Sequence, residues 1–588
     1  MPALTGSVAS VWVGIQRPFT GCVEGYSCVF LDTVSLLTDL IPFNTIYSFS
    51  KRALYIDRFT TYTLPNWDNS KIPLYMLRWR RAYMTQFIDL GQHKQLFLDN
   101  RAVEATSGVV RRIHQPKNRR PVLQPDRSIH QVLVQSNSAP QWNPEKHLWE
   151  WWYLAFYDKA PYQGLTGSPD WGDIHYATSK DGVHWEQPSL GLYEWRGSLE
   201  NNLAYHSKVD YLRRRGARNP VDIGERRLHH IIRDEKDPDP QRRYKGLFSD
   251  ADNSGRYPAL SYDGFHWTFP HVDGIPSQDT SHMAYDDYNN RFVATVKQRT
   301  EWGRSVYLST SDDFIEWTEP VLILHTDEID QFNRGERVRK IVEDPSYLSP
   351  PHIDEETDFI AQLYMMPIMP YEGQYVGFPL ILNPSGLDLA QMNHVGLNQT
   401  ELAVSWDLTN WERVADRNVF LGVEPWDGIN YGTCQVAVCG RPIVRDKEIW
   451  IYFDAVRFRG VPESYPSKYA EFFNDMGALS LATLRLDGFV SMDAETKGTL
   501  LTKPFFLNEG QLFVNVESQQ GELKAEVVDS ETNDVLPGLS LADCDPVRAD
   551  DTNVPVTWNH RGVPVRKNPV RLRFELSNAK LYAFWLSN

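Results

Sequence analysis

Three carboxylates stand in polar, turn-rich stretches and are candidates for acid–base chemistry. Asp234 follows an arginine, Asp279 lies within residues 277–282, and Glu372 stands between a tyrosine and a glycine. A carboxyl group desolvated among aromatic rings has a raised pKa, as a general acid at neutral pH requires, so Glu372 is the candidate acid. Asp234 and Asp279 are candidates for base or nucleophile and for substrate holder. Each of the three could instead serve only in a turn.

A second set of residues is predicted to contact the substrate. The set combines charged groups and a histidine near these stretches with three tryptophans that offer flat aromatic faces: Arg233, Glu200, His282, Asp427, Trp151, Trp171 and Trp426. Asp427 stands next to a glycine and could instead only make a turn.

The composition of the chain argues against several classes of binding partner and cofactor. The chain of 588 residues has a net charge of −16, which argues against a nucleic-acid partner. No apolar run approaches the roughly 20 residues that span a bilayer, and no secretory signal is evident, so we expect a cytoplasmic protein without a membrane partner. The histidines and the five cysteines lack metal-ligand spacing, so neither a metal nor another cofactor is expected.

The elements that must position these residues are marked by a repeated phrase, Ser179–Trp185, with Ser, Asp and Trp at fixed spacing. Three further copies and a weaker fifth follow at intervals of roughly 50 to 95 residues: Ser261–Trp267, Ser311–Trp317, Ser405–Trp411 and Arg485–Val490. An apolar strand, an Asp-containing turn and a Trp on the return strand make a β-hairpin. The sequence therefore predicts an all-β fold built on a five-bladed β-propeller, with the Trp of each of the four strong copies in the core; the fifth copy lacks the Ser and the Trp.

Five largely apolar runs are predicted as the middle strands of the blades: Leu148–Tyr157, Tyr244–Phe248, Arg291–Lys297, Phe359–Met365 and Glu448–Phe453. The polar segments ahead of several of them should form the innermost strands and the loops that open onto the axis. Asp234, Asp279 and Glu372 come from three such segments. Closure of the propeller is expected to bring them into one pocket at one end of the axis.

Three regions are predicted: residues 1–83, 84–503 and 504–588. The first shows neither alternation nor a helical stripe, and we interpret it as an N-terminal extension, with the functional protein beginning near Met84. In the last, residues 570–576 alternate apolar with charged side chains, as a half-buried strand does. Four separate strands are predicted there, in a C-terminal β-sandwich: Gln511–Val516, Glu522–Val528, Val570–Leu576 and Leu581–Trp585.

The repeated phrase followed by a C-terminal sandwich resembles the invertase and inulinase group, glycoside hydrolase family 32. More loosely it resembles the arabinanase and xylosidase group, family 43. From Met84 onward the chain is also similar to a bacterial branch of propeller glycosidase-like proteins, through Leu96–Asp99 and Val570–Leu576.

This resemblance implies three axial carboxylates: an Asp on the first blade, an Asp after Arg on the second, and a Glu as acid. Arg233 and Asp234 resemble the second of these. At the first position the chain has Trp142–Glu145, without an Asp between Asn and Pro, so no nucleophile is carried over.

The resemblance therefore implies an exo-acting hydrolase of O-glycosyl bonds in oligosaccharides or glycosides, an enzyme of carbohydrate metabolism. Such hydrolysis needs one carboxylic acid to protonate the leaving oxygen and one carboxylate to attack or to activate water. Two alternatives stay open. A glycoside phosphorylase on this fold would need cations to hold phosphate, which Arg233, Lys297 and His282 could supply. A non-catalytic carbohydrate-binding propeller would fit the missing first-blade Asp.

Overall fold

The computed structural model describes residues 88, 90, 93–157, 173–195, 197–216, 225–348, 359–388, 393–458, 474–507, 510–566 and 568–587. All of them belong to one compact unit, Tyr83–Asn588. They are mostly β-strands, with two α-helices, α1 (Ser207–Arg215) and α2 (Glu328–Glu343), so the predicted β class is confirmed. No helix in these ranges is long and apolar enough to cross a membrane. The predicted extension 1–83 and Trp171 lie outside the described residues.

Most described strands form antiparallel units of four. Four short strands precede the first unit: β1 (Gln95–Leu96), β2 (Val103–Ser107), β3 (Val110–Ile113) and β4 (Lys117–Leu123). The first unit contains β5 (Gln131–Gln135), β7 (Leu148–Tyr157), β8 (Ile174–Ser179) and β9 (Leu203–Tyr205), and β6 (Gln141–Asn143) pairs with β7. The second contains β10 (Arg227–Arg233), β11 (Tyr244–Ser249), β12 (Gly255–Ser261) and β13 (Ile275–Pro276).

The third unit contains β14 (Ser281–Asp286), β15 (Arg291–Thr300), β16 (Gly303–Ser311) and β17 (Val321–Leu324). Three strands then pair with one another as β18 (Gln362–Met365), β21 (Leu380–Asp388) and β22 (Asn393–Thr400). The fourth unit contains β19 (Ile368–Tyr371), β20 (Gln374–Gly377), β23 (Ala403–Ser405) and β24 (Trp411–Arg413). The prediction that Phe359–Met365 is a middle strand is wrong, because within the described ranges β18 pairs with β21 alone and the second strand of this unit is β20.

The fifth unit is completed by a strand from the beginning of the chain. It contains β25 (Gln435–Val438), β27 (Glu448–Val456) and β28 (Gly477–Arg485), with β4 paired to β28, while β26 (Ile443–Arg445) pairs with β27. Single parallel bridges link Gly477 in β28 to Leu133 in β5, and Asn398 in β22 to Gln435 in β25. The last unit therefore adjoins the first.

The repeated phrase is a turn with its own hydrogen bonds. Ser179 Oγ accepts from the backbone of Gly182 at 2.9 Å, and Asp181 Oδ1 accepts from residues 183 and 184 at 2.8 Å each. The residue after Asp has a positive φ in all four strong copies: Gly182, Gly264, Phe314 and Leu408. The tryptophans of the phrases are partly buried, each against a different hydrophobic cluster: Trp185, Trp267, Trp317 and Trp411.

The end of the chain forms a nine-stranded sheet with β1, β2 and β3. Its other strands are β29 (Val490–Thr502), β30 (Phe505–Phe506), β31 (Gln511–Glu517), β32 (Glu522–Asp529), β33 (Asp550–Pro555) and β34 (Pro569–Ser587). The predicted strands 570–576 and 581–585 are one strand, β34, and β29 extends the sheet across the predicted boundary at 503. Val570, Leu572, Phe574 and Leu576 are at most 1% exposed, as the alternation predicts.

Candidate functional site

The five units present two distinguishable ends. Each begins with a strand (β5, β10, β14, β19 or β25) that leads through a hairpin towards its second strand. Gly373 N–H donates to the Tyr288 hydroxyl at 2.8 Å, so the hairpins of the third and fourth units lie together. Arg441, between β25 and β26 of the fifth unit, pairs with Asp287 of the third unit's hairpin at 2.9 Å. We call this the hairpin end, and the opposite end, where the first strands begin, the start end.

Both ends of the units carry connections of the chain. The hairpins are short: 144–147, 234–243, 287–290, 372–373 and 446–447. At the start end, residues 414–434 join β24 to β25. Loops on a rigid scaffold are where binding and catalytic residues concentrate, so the connections at the start end are candidates for the functional site.

Asp234 and Arg233 line a cavity of about 270 Å³ at the hairpin end. The Asp234 carboxylate lies 3.2 Å from Lys245 Nζ and accepts from the Lys236 backbone N–H at 3.0 Å. The Arg233 guanidinium is buried, donates to the Tyr244 hydroxyl at 2.8 Å and pairs with a neighbouring glutamate. Asp234 is thus held by partners in its own unit, whereas Arg233 also pairs with Glu145 in the hairpin of the first unit at 3.3 Å.

Asp279 lies at the start end, immediately before β14. Its side chain is 39% exposed, forms an ion pair with the buried Lys297, and accepts from the Tyr364 hydroxyl at 3.3 Å. Lys297 Nζ also lies 3.8 Å from the centre of the Tyr364 ring. Burial raises the pKa of Asp279, but Lys297, followed by Arg304 and Arg256, outweighs burial and lowers the pKa overall. Asp279 is therefore ionised and still accessible.

Arg256 fixes the backbone on both sides of Asp279. It is fully buried, and its guanidinium donates to Ser281 Oγ at 2.7 Å and to the Gln278 carbonyl. Burial lowers its pKa to about 10, so it remains charged at neutral pH. One buried cation thus holds the main chain while another, Lys297, holds the carboxylate.

Glu372 occupies the tight hairpin of the fourth unit. Its φ is +49°, an uncommon conformation for a residue other than Gly, Asn or Asp. Burial raises its pKa, as predicted for an acid, although Lys94 N–H donates to Oε2 at 2.9 Å and opposes the shift. Lys94 Nζ also lies 4.0 Å from Glu372 and 2.8 Å from the fully buried Asp487.

The prediction that the three carboxyl groups share one pocket is wrong. Asp279 precedes β14, whereas Asp287, which lines the cavity with Asp234, follows it. At ~3.3 Å per residue the strand separates the two positions by roughly 20 Å. Each predicted segment runs from a repeated phrase to the next middle strand, so it contains the residues before the first strand of a unit and also the hairpin after that strand. A residue in such a segment can therefore lie at the start end or at the hairpin end.

Two predicted ligand contacts are core residues. Trp151 is 0% exposed, packs 5.0 Å from the ring of Trp185, and donates its indole N–H to the Ser138 carbonyl at 2.8 Å. The prediction that it faces a ligand is wrong, because β7 is buried over most of its length. His282 is also buried, its ring nitrogens lying 3.1 Å from the Asn137 carbonyl and 3.0 Å from Met365 Sδ. Burial lowers its pKa to about 3, so it is uncharged and cannot hold phosphate as a cation.

The remaining predicted contacts lie in connections. Asp427 is exposed, and its carboxylate accepts from the backbone of Ile429 at 2.9 Å and Asn430 at 2.8 Å, which makes it a turn residue. Glu200 is exposed between β8 and β9. Trp426 is half-buried at the start end, with the Arg457 guanidinium 5.2 Å from its ring.

Sequence reasoning missed the residues that position Asp279. The sequence prediction assigns Lys297 only to a phosphate site and gives no role to Arg256 or Tyr364. The available signal was a charge within a strand: Lys297 ends the run 291–297, and Arg256 lies in β12, although both are at most 1% exposed. Buried charges need a partner, so such positions indicate a paired site. Among the described residues, no group of three or more His, Cys, Asp or Glu side chains could hold a metal ion.

No protein-family model matches the chain, and no curated protein matches it in sequence. Among solved structures, an N-acetylgalactosamine deacetylase from F. plautii, in complex with blood group B trisaccharide, is 14% identical with a TM-score of 0.34, covering 65% of this chain and 97% of its own. A glycosyl hydrolase from Bacteroides ovatus is 13% identical, with a TM-score of 0.36 and coverage of 67% and 97%. An exo-β-1,3-galactanase from Phanerochaete chrysosporium is 8% identical, with a TM-score of 0.34 and coverage of 80% and 100%. At these TM-scores the likenesses carry no weight for fold or function.

Proposed function

We propose that the protein is an exo-acting glycoside hydrolase with its site at the start end and Asp279 as its ionised carboxylate. The observation that carries the proposal is the geometry of Asp279: a buried lysine neutralises it, a tyrosine donates to it, and 39% of its side chain is exposed. An ionised, fixed and accessible carboxylate suits attack on the anomeric carbon or activation of water.

The proposed architecture is a five-bladed propeller in which each four-stranded unit is one blade, with the nine-stranded sheet as a β-sandwich. In support, β4 completes the fifth unit beside the first. Residues of several units also line the cavity at the hairpin end. His230 of the second unit and His282 of the third each contact the Asn137 carbonyl at 3.1 Å, which brings residues of three units together.

The general acid of the proposed hydrolase must lie near Asp279, and Glu372 does not. Glycosidases place the two carboxyl groups within about 10 Å of each other. Glu372 lies in a turn at the hairpin end and Asp279 lies at the start end, so they do not serve one bond. We expect the acid among the side chains of the start-end connections, with Glu372 in a structural role.

The proposal is tested by turnover of aryl glycosides and oligosaccharides, with and without inorganic phosphate, followed by product analysis. Asp279→Asn should reduce turnover by about 10²–10⁴-fold, the range for loss of an acid–base group. The matched control is Asp550→Asn, because Asp550 is also ion-paired and 38% exposed but lies in β33. Release of single sugar units without phosphate is the expected product pattern.

Other outcomes assign the site differently. Glu372→Gln should change turnover less than about threefold for both poor and activated leaving groups, and a selective loss with poor leaving groups would restore the acid role. A loss with Asp234→Asn and not with Asp279→Asn would move the site to the hairpin-end cavity. Sugar phosphates as products would make the protein a phosphorylase, and binding without turnover would make it a carbohydrate-binding propeller.

A further inference from the structure

Arg457 organises a second group of side chains at the start end. It is 6% exposed, and its guanidinium lies 3.9 Å from the centre of the Tyr431 ring and 5.2 Å from that of Trp426. It donates at 2.7–3.0 Å to three backbone carbonyls, those of Ile429, Asn430 and Asp475. With so many of its N–H groups committed to the protein, Arg457 acts as a fixed support for the chain around it.

The group that Arg457 supports is the carboxylate of Asp475. Both oxygens of this carboxylate accept from the Tyr431 hydroxyl, at 2.8 and 2.9 Å, and Oδ2 also accepts from Arg457 at 3.1 Å. The Asp475 side chain is nevertheless 39% exposed. An ionised carboxylate offers about four acceptor sites, so Asp475 keeps acceptor capacity towards the solvent.

Asp475 lies beside the beginning of a first strand. The next residue, Met476, donates its backbone N–H to the carbonyl of Val132 in β5 at 2.6 Å. β5 is the first strand of the first unit, as β14, which follows Asp279, is of the third. The structure thus places two fixed, partly exposed carboxylates at the start end, in different units.

We propose that Asp475 is a sugar-binding residue at the start end, accepting hydrogen bonds from two adjacent hydroxyls of one sugar ring of the substrate. Trp426 supplies an aromatic wall of this subsite, and Arg457 and Tyr431 are positioning residues. The ligand class is a neutral sugar with a vicinal diol, because a carboxylate favours hydroxyl donors and disfavours an anionic group. The inference rests on the proposed function, since it assigns substrate contacts at the same end.

The test is a kinetic comparison of Asp475→Asn with the unmodified protein, using the p-nitrophenyl glycoside of highest turnover in a panel of hexosides and pentosides. Hydrogen bonds to charged groups are the stronger class, so KM should rise about 10- to 100-fold while kcat changes less than about threefold. Tyr431→Phe keeps the carboxylate and its Arg457 donor, removes the hydroxyl donor, and should raise KM by a smaller factor. Asp550→Asn, matched in exposure and ion pairing, should leave both constants unchanged.

A second measurement separates recognition from a merely structural role. Monodeoxy analogues of the same glycoside lack one hydroxyl each, and a site built to bind a hydroxyl discriminates against its absence. Asp475→Asn should abolish the discrimination at the hydroxyls that Asp475 binds. The loss of affinity caused by the substitution and the loss caused by removing one of those hydroxyls should therefore not add. Additive losses at every hydroxyl, or an unchanged KM, would overturn the inference.

The inference and the proposed function fail in different ways. If Asp279→Asn abolishes turnover and Asp475→Asn leaves KM and analogue discrimination unchanged, only the inference is overturned. If Asp279→Asn retains full turnover, the proposed function fails. Ligand-observed NMR with the methyl glycosides then decides separately: binding weakened by Asp475→Asn supports the subsite, and unchanged binding overturns it.

Discussion

The pKa values of the buried carboxyl groups shift in different directions, according to the charges beside each group. For Asp279 the neighbouring cations outweigh burial and its pKa falls, whereas for Glu372 burial dominates and its pKa rises. Asp454 is the extreme case, because its contacts are the backbone N–H of Ser136 at 2.9 Å and the thiol of Cys439 at 3.4 Å. Burial without a paired cation raises its pKa to about 7.

Asp454 should make stability fall as pH rises. Its folded pKa lies above the ordinary value of 3.8, so between about pH 4 and 7 the folded chain holds a proton that the unfolded chain has lost. Asp454→Asn removes this penalty and should stabilise the protein at pH 8 by up to about 4 kcal/mol, with little effect at pH 4. Urea unfolding across this pH range measures the difference. A constant difference between variant and parent at all pH values would show that Asp454 titrates normally.

At the scale of the element, local chemistry builds the repeated turn. Ser and Asp bond to the backbone that follows them, and the next residue takes a left-handed conformation. In two copies that residue is glycine, which adopts this conformation at little cost. In the other two it is Phe314 or Leu408, both fully buried, so packing offsets the strain of a positive φ.

The third copy of the phrase has two adjacent Asp residues, and the one that, among the described residues, makes no turn hydrogen bond serves as a control for the one that does. Asp313 Oδ1 accepts from the backbone of Ile315 at 2.8 Å and Glu316 at 2.9 Å. Its neighbour Asp312 is exposed, and its carboxylate makes no hydrogen bond within the described part of the chain. Asp313→Ala should lower the free energy of unfolding by about 1–2 kcal/mol, and Asp312→Ala by less than about 0.5 kcal/mol. Equal effects of the two changes on the urea midpoint would mean that the turn does not depend on its carboxylate.

Elements governed by local chemistry were predictable from sequence, and those that depend on distant pairing were not. The run Leu148–Tyr157 is β7 with the same bounds, because its apolar composition reflects its own burial. Phe359–Met365 has a similar composition but pairs with β21, and nothing in the run distinguishes that partner from a neighbour in a four-stranded unit. Likewise, β4 joins the fifth unit from more than 300 residues away along the chain.

At the scale of the whole molecule, the candidate site depends on strand direction. The sequence identified Asp279 and Asp234 as polar residues near first strands, but one precedes its strand and the other follows it. Alternating antiparallel strands send these two positions to opposite ends. The partners that decide their chemistry, Lys297 for Asp279 and Lys245 for Asp234, come from second strands and meet them only after the units fold.

The nine-stranded sheet shares one hydrophobic cluster with the fourth and fifth units. The cluster runs from Phe378 and Phe420 through Phe489 to Phe574 and Phe584. β34 pairs with β29 between Arg573 and Leu581, and also with β1 near the beginning of the described chain. The C-terminal region therefore completes a core that the rest of the chain begins.

Truncation after Lys503 should consequently cause aggregation and not a clean loss of catalysis. The cut removes β34, leaves Met492–Leu501 of β29 without the strand that pairs with it on that side, and uncovers the apolar face that Leu572 and Phe574 cover. The soluble fraction and light scattering of residues 1–503 measure this, and co-expression of residues 504–588 should restore solubility by refilling the same face. A soluble, active 1–503 chain would contradict the shared core, because it would show that the sheet is an independent appendage.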